Sequence, residues 1–453
     1  MRLILSEKPF HGVGFGTPWI ESTASVASHP SSAGAIGLFV LAGAATVTIF
    51  VSDPFASWEY EVGIFLLAGY CSVRESLRPG TSNVTISALV PALALAAISL
   101  WGFAQLAIGA TVYRYATWEA SLRAMACGAT AWVAAKTLRD ARLRWRFLSA
   151  FAWFGGALSL VSVVAYFTSP GRILWVFASP YPDVWGPFLS RNDFAGFMEL
   201  SFPVALVLAM DRRTRDSPPG TLPRSIPGWK PVRESDEVPK RFSFSKRVPI
   251  WVPAWMLAAG LASGSRAGAI LLLAEAGVVL GLISGRRAAA KFIAWTLLLA
   301  AVAGAGTLVG RFAEKDPWRY RREIAASTLH LIADHPWRGY GLGTYAYVYP
   351  AYATFDIGAV VEHAHNQWLE WAAEGGIPLA LVWLTLALGM SVRAVRSVWG
   401  IGILAAFLHA LVDYPFVRCG LTAWDFTLIG ALSAAAVRKA GPILHVTRKE
   451  NDQ

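Results

Sequence analysis

Two arginines and a histidine-rich turn are the residues best suited to chemistry. Arg191 stands in PFLSRNDFAGFMEL and Arg266 in ASGSRAGAI, each at the start of an apolar run. A guanidinium binds phosphate through two parallel hydrogen bonds, so a pair of them can hold a pyrophosphate. Gly264 and Gly268 frame Arg266 and would let backbone N–H groups approach the same anion. A single arginine at a membrane surface snorkels to water and needs no further role. Two of them, each framed by small or helix-starting residues, argue for an anion site.

The turn is Glu362-His363-Ala364-His365-Asn366. Histidine is the usual side chain for moving protons near neutral pH. Two histidines at i and i+2 share one face of an extended segment but nearly opposite faces of a helix. A helix that begins at Asn366 leaves both free to face a cleft; an earlier start leaves only one. A structural role, with the rings bonding loop backbone, is the alternative. A metal site on Glu362, His363 and His365 would need another ligand and supporting residues that the sequence does not supply. There is also no Asp-x-Asp pair, so no metal or other cofactor is expected.

Two further stretches carry polar groups. His335-Pro336-Trp337-Arg338-Gly339-Tyr340-Gly341-Leu342-Gly343 has the glycines of a nucleotide loop but neither the preceding strand nor the following long helix. It suits a turn that shapes a cleft or packs on a glycan. Asp413, in LHALVDYPF, is a carboxylate near the end of an apolar run, and pairing with an arginine is its expected task.

These residues must be positioned by a chain of 453 residues, 55% apolar and 15% charged. Soluble domains carry roughly 25% charge, so an ordinary soluble enzyme is excluded. The apolar residues come in runs near the 20 or so that a membrane helix needs. Candidate spans are 33–52, 59–74, 86–107, 117–136, 147–167, 193–210, 249–263, 267–284, 292–310, 371–391, 399–414 and 421–437. The expected fold is an all-α, polytopic integral membrane protein of about 12 transmembrane helices, with a large outward loop between the ninth and tenth. With both termini cytoplasmic, 28 of the 40 Lys and Arg lie inside and 11 outside, as the positive-inside bias demands. The net charge of +11 therefore reports topology, and no nucleic-acid partner is expected.

The organisation that follows is a cytoplasmic N-terminal segment (1–32), helices 1–6 (33–210) and a flexible basic cytoplasmic loop (211–248). Helices 7–9 (249–310), the outward loop (311–370), helices 10–12 (371–437) and a cytoplasmic tail (438–453) complete it. The start, MRLILSEKPF, has too short an apolar run for a cleavable signal peptide. Cys71, Cys127 and Cys419 have neither disulfide nor metal spacing. Within the outward loop, short helices are expected around Trp318–His335 and from Asn366 to Glu374. Asn366 would cap the second, Gly375 would stop it, and Pro378 would start the next span.

RNDFAGF (191–197), GSRAG (264–268), HPWRGYGLGTY (335–345), HAHNQWLEWAAEGGIPLAL (363–381) and LVDYPF (411–416) together resemble the O-antigen ligase family of bacterial inner-membrane proteins. That family also takes in O-antigen polymerases and some protein O-oligosaccharyltransferases. The resemblance covers about 185–420. The ligase pattern of His, then Asn, Ser or Gln, nine residues, then Gly is met by His365, Asn366 and Gly376. It departs at its last position, where Leu379 stands for Gly, Thr or Tyr. The resemblance implies a metal-independent membrane glycosyltransferase that takes a glycan from undecaprenyl pyrophosphate and attaches it to lipid A-core oligosaccharide. It would be a multi-pass protein of the bacterial inner membrane, with 311–370 as its periplasmic catalytic loop.

Carried over by motif, Arg191 and Arg266 bind the pyrophosphate and a histidine of the HAHN segment is the base. Asn366, Arg338, Asp413 and Tyr345 are expected to support them. The family pattern falls on His365, whereas helix geometry frees His363; His363 is preferred as base and His365 as its positioning partner. With no evident carboxylate nucleophile, direct displacement with inversion is the simpler mechanism. An O-antigen or exopolysaccharide polymerase differs only in its acceptor. A transporter of a lipid-linked or anionic solute is the reading from another class, but repeat symmetry and paired broken helices are lacking.

Overall fold

Helices form where the apolar runs lie. The computed structural model describes residues 32–51, 54–77, 85–181, 183–210, 248–304, 310, 318–354, 356, 358 and 360–435. The N-terminal segment, nearly all of the basic loop and the tail fall outside the described residues, as does the beginning of the outward loop. In chain order come α1 (Ser32–Val47), α2 (Pro54–Ser76), α3 (Ile86–Ala107), α4 (Arg114–Thr137) and α5 (Ala141–Thr168). A two-residue hairpin, β1 (Arg172–Ile173) and β2 (Phe177–Ala178), precedes α6 (Arg191–Met210). Then follow α7 (Trp251–Ala262), α8 (Arg266–Ile283), α9 (Arg286–Ala303), α10 (Arg319–Asp334) and α11 (Tyr345–Val348). The last are α12 (Gln367–Arg396), α13 (Ile401–His409) and α14 (Cys419–Ala435).

Each expected span overlaps a helix among the described residues. Among the described residues, α3, α5, α6, α8 and α12 are long and apolar enough to cross a membrane, and α1, α7, α13 and α14 are shorter apolar helices. The chain is thus an all-α, multi-pass membrane protein. Helices α2, α4 and α9 are more charged, and some of their charges are paired. Arg123 of α4 bonds Glu119 at 2.8 Å and lies 3.6 Å from Glu61 of α2. Lys136 bonds Glu75.

Helix α6 is buried along most of its length and packs against α5, α7, α8 and α13. Small residues let its neighbours come close. A Cβ on Gly268 of α8 would sit 2.4 Å from Ala195 Cβ, and one on Gly402 of α13 would sit 2.2 Å from the Glu199 carbonyl oxygen. This close approach is one physical reason for the second glycine of GSRAG.

The span expected over 399–414 contains a helix only at Ile401–His409. Its C-terminal part turns away because the Ala410 and Asp413 carbonyls accept from the Gln367 N–H, at 2.8 and 3.3 Å. That turn frees Asp413 from the helix and places it in the site. The span expected over 292–310 begins earlier, at Arg286, and ends on Gly304 in left-handed conformation.

Candidate functional site

Two cavities meet the residues singled out from the sequence. The smaller, about 70 Å³, is lined by Arg191, Asn192, Gly264–Ala267, Trp318, Arg321, His409 and Asp413. Arg191 and Arg266 are the first residues of α6 and α8, so two helix N-termini converge on it. Each carries the positive end of a helix dipole. Ser265 caps α8 by accepting from the Gly268 N–H at 3.2 Å, and Gly264 turns the chain into it with φ +72°. Arg321 of α10 supplies a third guanidinium. Three cationic side chains and two helix starts surround this small space, an arrangement able to hold an anion.

Asp413, 6% exposed, is the one carboxylate among the described residues that line this pocket. Asn192 donates to one of its oxygens, and Arg321 lies 4.0 Å from that same oxygen. The other oxygen is 3.4 Å from His365 Nδ1. Burial works against its charge, but the His365 hydrogen bond and the nearby His409 and Arg321 outweigh this and hold its pKa below the usual carboxylate value. Asp413 stays ionised and organises three partners.

The larger cavity, about 390 Å³, lies within the range of small-ligand pockets. Its apolar wall includes Trp371 and Trp383, stacked at 4.1 Å, with Phe416 against both. Its polar side holds Arg123, Tyr345, Glu362, His363, Glu370 and Glu374. Such a mixture of flat rings and hydrogen-bonding groups suits a sugar.

The two histidines part: His363 lines the larger cavity, whereas His365 lines neither and meets Asp413 of the smaller pocket. Helix α12 starts after Asn366, whose side chain accepts from the Leu369 N–H at 3.2 Å. His363 and His365 therefore both precede the helix, and His365 takes φ +48°. His363 lines the larger cavity. Its Nδ1 is 2.9 Å from Glu370 Oε1, while Glu370 Oε2 accepts from the Ala364 N–H at 2.8 Å. An ionised carboxylate can only accept, so Nδ1 carries hydrogen and Nε2 is left to take a proton. Burial disfavours charge on the ring, but Glu370 outweighs it, and the His363 pKa is raised. Tyr414 packs between them, its ring 4.3 Å from His363 and 5.2 Å from His365.

The glycine-rich stretch is a backbone knot. Tyr340 N–H donates to the Ala373 carbonyl at 3.1 Å and Gly341 N–H to Glu374 at 2.9 Å. Ile377 N–H returns to Pro336 at 2.7 Å. Gln105 of α3 ties both strands, donating to the Arg338 and Glu374 carbonyls at 2.7 and 2.9 Å. This knot clamps the break in α12. The break falls at Gly376 (φ 77°, ψ 173°), one residue beyond the expected stop at Gly375. A Cβ there would lie 2.5 Å from the Trp337 carbonyl, so the position demands glycine.

Arg191, Arg266 and Asp413 thus line the smaller pocket, with His365 against Asp413 from outside it, and His363 and Tyr345 line the larger cavity. Tyr345 is buried, its hydroxyl 2.7 Å from Thr328 and its N–H donating to Glu374 at 3.1 Å. Arg338 lines neither cavity; it contributes its backbone carbonyl. Glu362 lines the cavity beside His363. Among the described residues no three of His, Cys, Asp and Glu are grouped as metal ligands. Sequence reading passed over Arg321, Asn192, Glu370, Tyr414, Glu199 and His409. The last two had a signal: a lone acid and a lone histidine inside apolar runs.

The fold is that of a multi-pass helical membrane protein, with a small arginine-lined pocket and a larger cavity of about 390 Å³. Residues 251–384 match the family model described as O-antigen ligase, so this segment is similar to that family. No curated protein matches the chain. The matched segment is narrower than the resemblance read from the motifs. It contains Arg266, Arg321 and both histidines; the fold adds Arg191, His409 and Asp413 from outside it. The match supports a function of the O-antigen ligase or polymerase kind in general.

Proposed function

We propose that the protein is an O-antigen ligase that transfers a glycan from undecaprenyl pyrophosphate to lipid A-core oligosaccharide at the periplasmic face. Twelve spans, both termini in the cytoplasm and a location in the inner membrane complete the reading. One observation carries it: Arg191, Arg266 and Arg321 line one small pocket at two helix N-termini. The pyrophosphate of the donor binds there, with its glycan directed toward the larger cavity.

Breaking the glycosidic bond leaves negative charge on a phosphate oxygen. Fixed guanidiniums and backbone N–H groups stabilise that charge without a divalent ion. The acceptor sugar enters the larger cavity against Trp371 and Trp383. His363, oriented by Glu370, takes the proton from the acceptor hydroxyl as it attacks the anomeric carbon. The attack is a single displacement with inversion. His365, held by Asp413 and packed on Tyr414, positions His363 relative to the anion pocket. The 2.9 Å bond of His363 to Glu370 against 3.4 Å for His365 to Asp413 supports this division of roles.

The test is the surface lipopolysaccharide of a strain lacking the gene. Loss of all polymer on lipid A, with lipid-linked polymer accumulating, is expected. Attachment of a single repeat unit would instead establish a polymerase.

A further inference from the structure

The smaller pocket has a fourth polar wall. His409, the last residue of α13, lines it and is 2% exposed. Its Nδ1 is 2.8 and 3.1 Å from the two oxygens of Glu199, a fully buried residue on α6. Its Nε2 has no hydrogen-bond partner among the described residues and is buried. An unpaired ring nitrogen inside a helical bundle loses its hydration with nothing in return. Glu199 is also expensive at that depth, eight residues into α6 from Arg191. Two neighbouring helices place small residues against Glu199: Gly268 of α8 and Gly402 of α13 both close upon it.

We infer that His409 is a fourth ligand of the donor pyrophosphate, contributing through Nε2–H, with Glu199 holding the ring in place from behind. This rests on the donor-site reading above. An ionised Glu199 accepts from Nδ1–H, and an anion in the pocket is met by a hydrogen only when Nε2 carries one as well. The ring is then an imidazolium between the Glu199 carboxylate and the pyrophosphate. As the bond between the glycan and the phosphate oxygen breaks, the electron pair goes to that oxygen. The acceptor proton goes to His363, and His409 keeps its own. Its contribution is a charged donor that Glu199 holds in one orientation.

The two ring nitrogens can be separated by substitution. Asparagine at 409 reproduces a donor where Nδ1 lies and so keeps the Glu199 bond, but offers nothing at Nε2. Glutamine reaches the Nε2 position. Inorganic pyrophosphate, measured as a competitive inhibitor of transfer and by direct calorimetry on the purified full chain, is the probe. His409→Asn is expected to weaken pyrophosphate binding roughly 10- to 100-fold, the worth of a charged hydrogen bond, at unchanged melting temperature. His409→Gln should recover part of that loss. If His409→Asn binds pyrophosphate as wild type does while Arg266→Ala loses it, His409 merely pairs Glu199 and the inference is overturned. If wild type binds no pyrophosphate, the donor site itself is misplaced and both readings fall. Glu199→Gln, which preserves volume, reads the same affinity should His409→Asn not fold. A loss with it supports the inference and unchanged binding overturns it.

Discussion

Replacing Arg321 by alanine separates a catalytic role from a structural one. Its guanidinium lies 4.0 Å from Asp413, with side-chain exposures of 29% and 8%. A partly exposed pair at that distance contributes about 0–1 kcal/mol to folding. Asp413 is not stranded by the change, since Asn192 and His365 still bond it. The melting temperature should therefore barely move. Catalysis is another matter. A fixed donor aimed at developing charge is worth roughly 10²–10³ in rate, or about 2.7–4 kcal/mol. Single-turnover transfer by purified Arg321→Ala in lipid vesicles should fall by that factor, with Lys restoring only part because a point charge makes no bidentate contact. A rate within threefold of wild type would refute the three-arginine pocket. So would a rate loss that merely tracks a fall in melting temperature.

Arg191→Ala and Arg266→Ala should each abolish transfer while the protein remains inserted and folded, and Lys should rescue either poorly; normal transfer by a well-expressed variant removes that residue from the site. His363→Ala should lose roughly 10²–10⁴ in rate. Because Glu370 raises the His363 pKa, the acid limb of kcat/KM should lie above that of an ordinary histidine, near 6.5. Glu370→Gln should move the limb to lower pH, since the deprotonated ring is the active form. An unmoved limb, or one lost only in His365→Ala, assigns the base elsewhere. Gly376→Ala should destabilise by about 2–5 kcal/mol, combining a left-handed φ of 77° with a Cβ 2.5 Å from the Trp337 carbonyl; thermal unfolding in detergent reads it, and an unchanged midpoint contradicts the clamp.

Hydropathy made the helices legible because a bilayer admits few alternatives to apolar helices. The runs at 86–107 and 193–210 correspond to α3 and α6 within two residues. Local capping chemistry was equally readable, and Asn366 caps as its type suggests. What hydropathy could not show is where a helix stops for tertiary reasons. The run at 399–414 is apolar throughout, yet its last turn is taken by bonds to Gln367. The arginines at 191 and 266 stood out against the charge bias. Arg321 did not, because it sits among Arg319 and Arg322 in a polar helix and only packing selects it. Glu370 was hidden for a similar reason: seven residues from His363, it meets that ring only because the chain reverses into α12.

The most direct test is transfer in a defined system. Purified protein in vesicles would receive undecaprenyl-pyrophosphate-linked glycan and lipid A-core acceptor, with excess chelator present, and be compared with Arg266→Ala. Glycan joined to lipid A-core by the wild type, undiminished by the chelator and absent from the variant, is the expected result. Product that appears only after a divalent ion is restored would contradict the anion pocket as the sole stabiliser of the leaving group. Glycan lengthened on the polyprenyl carrier instead would contradict the ligase.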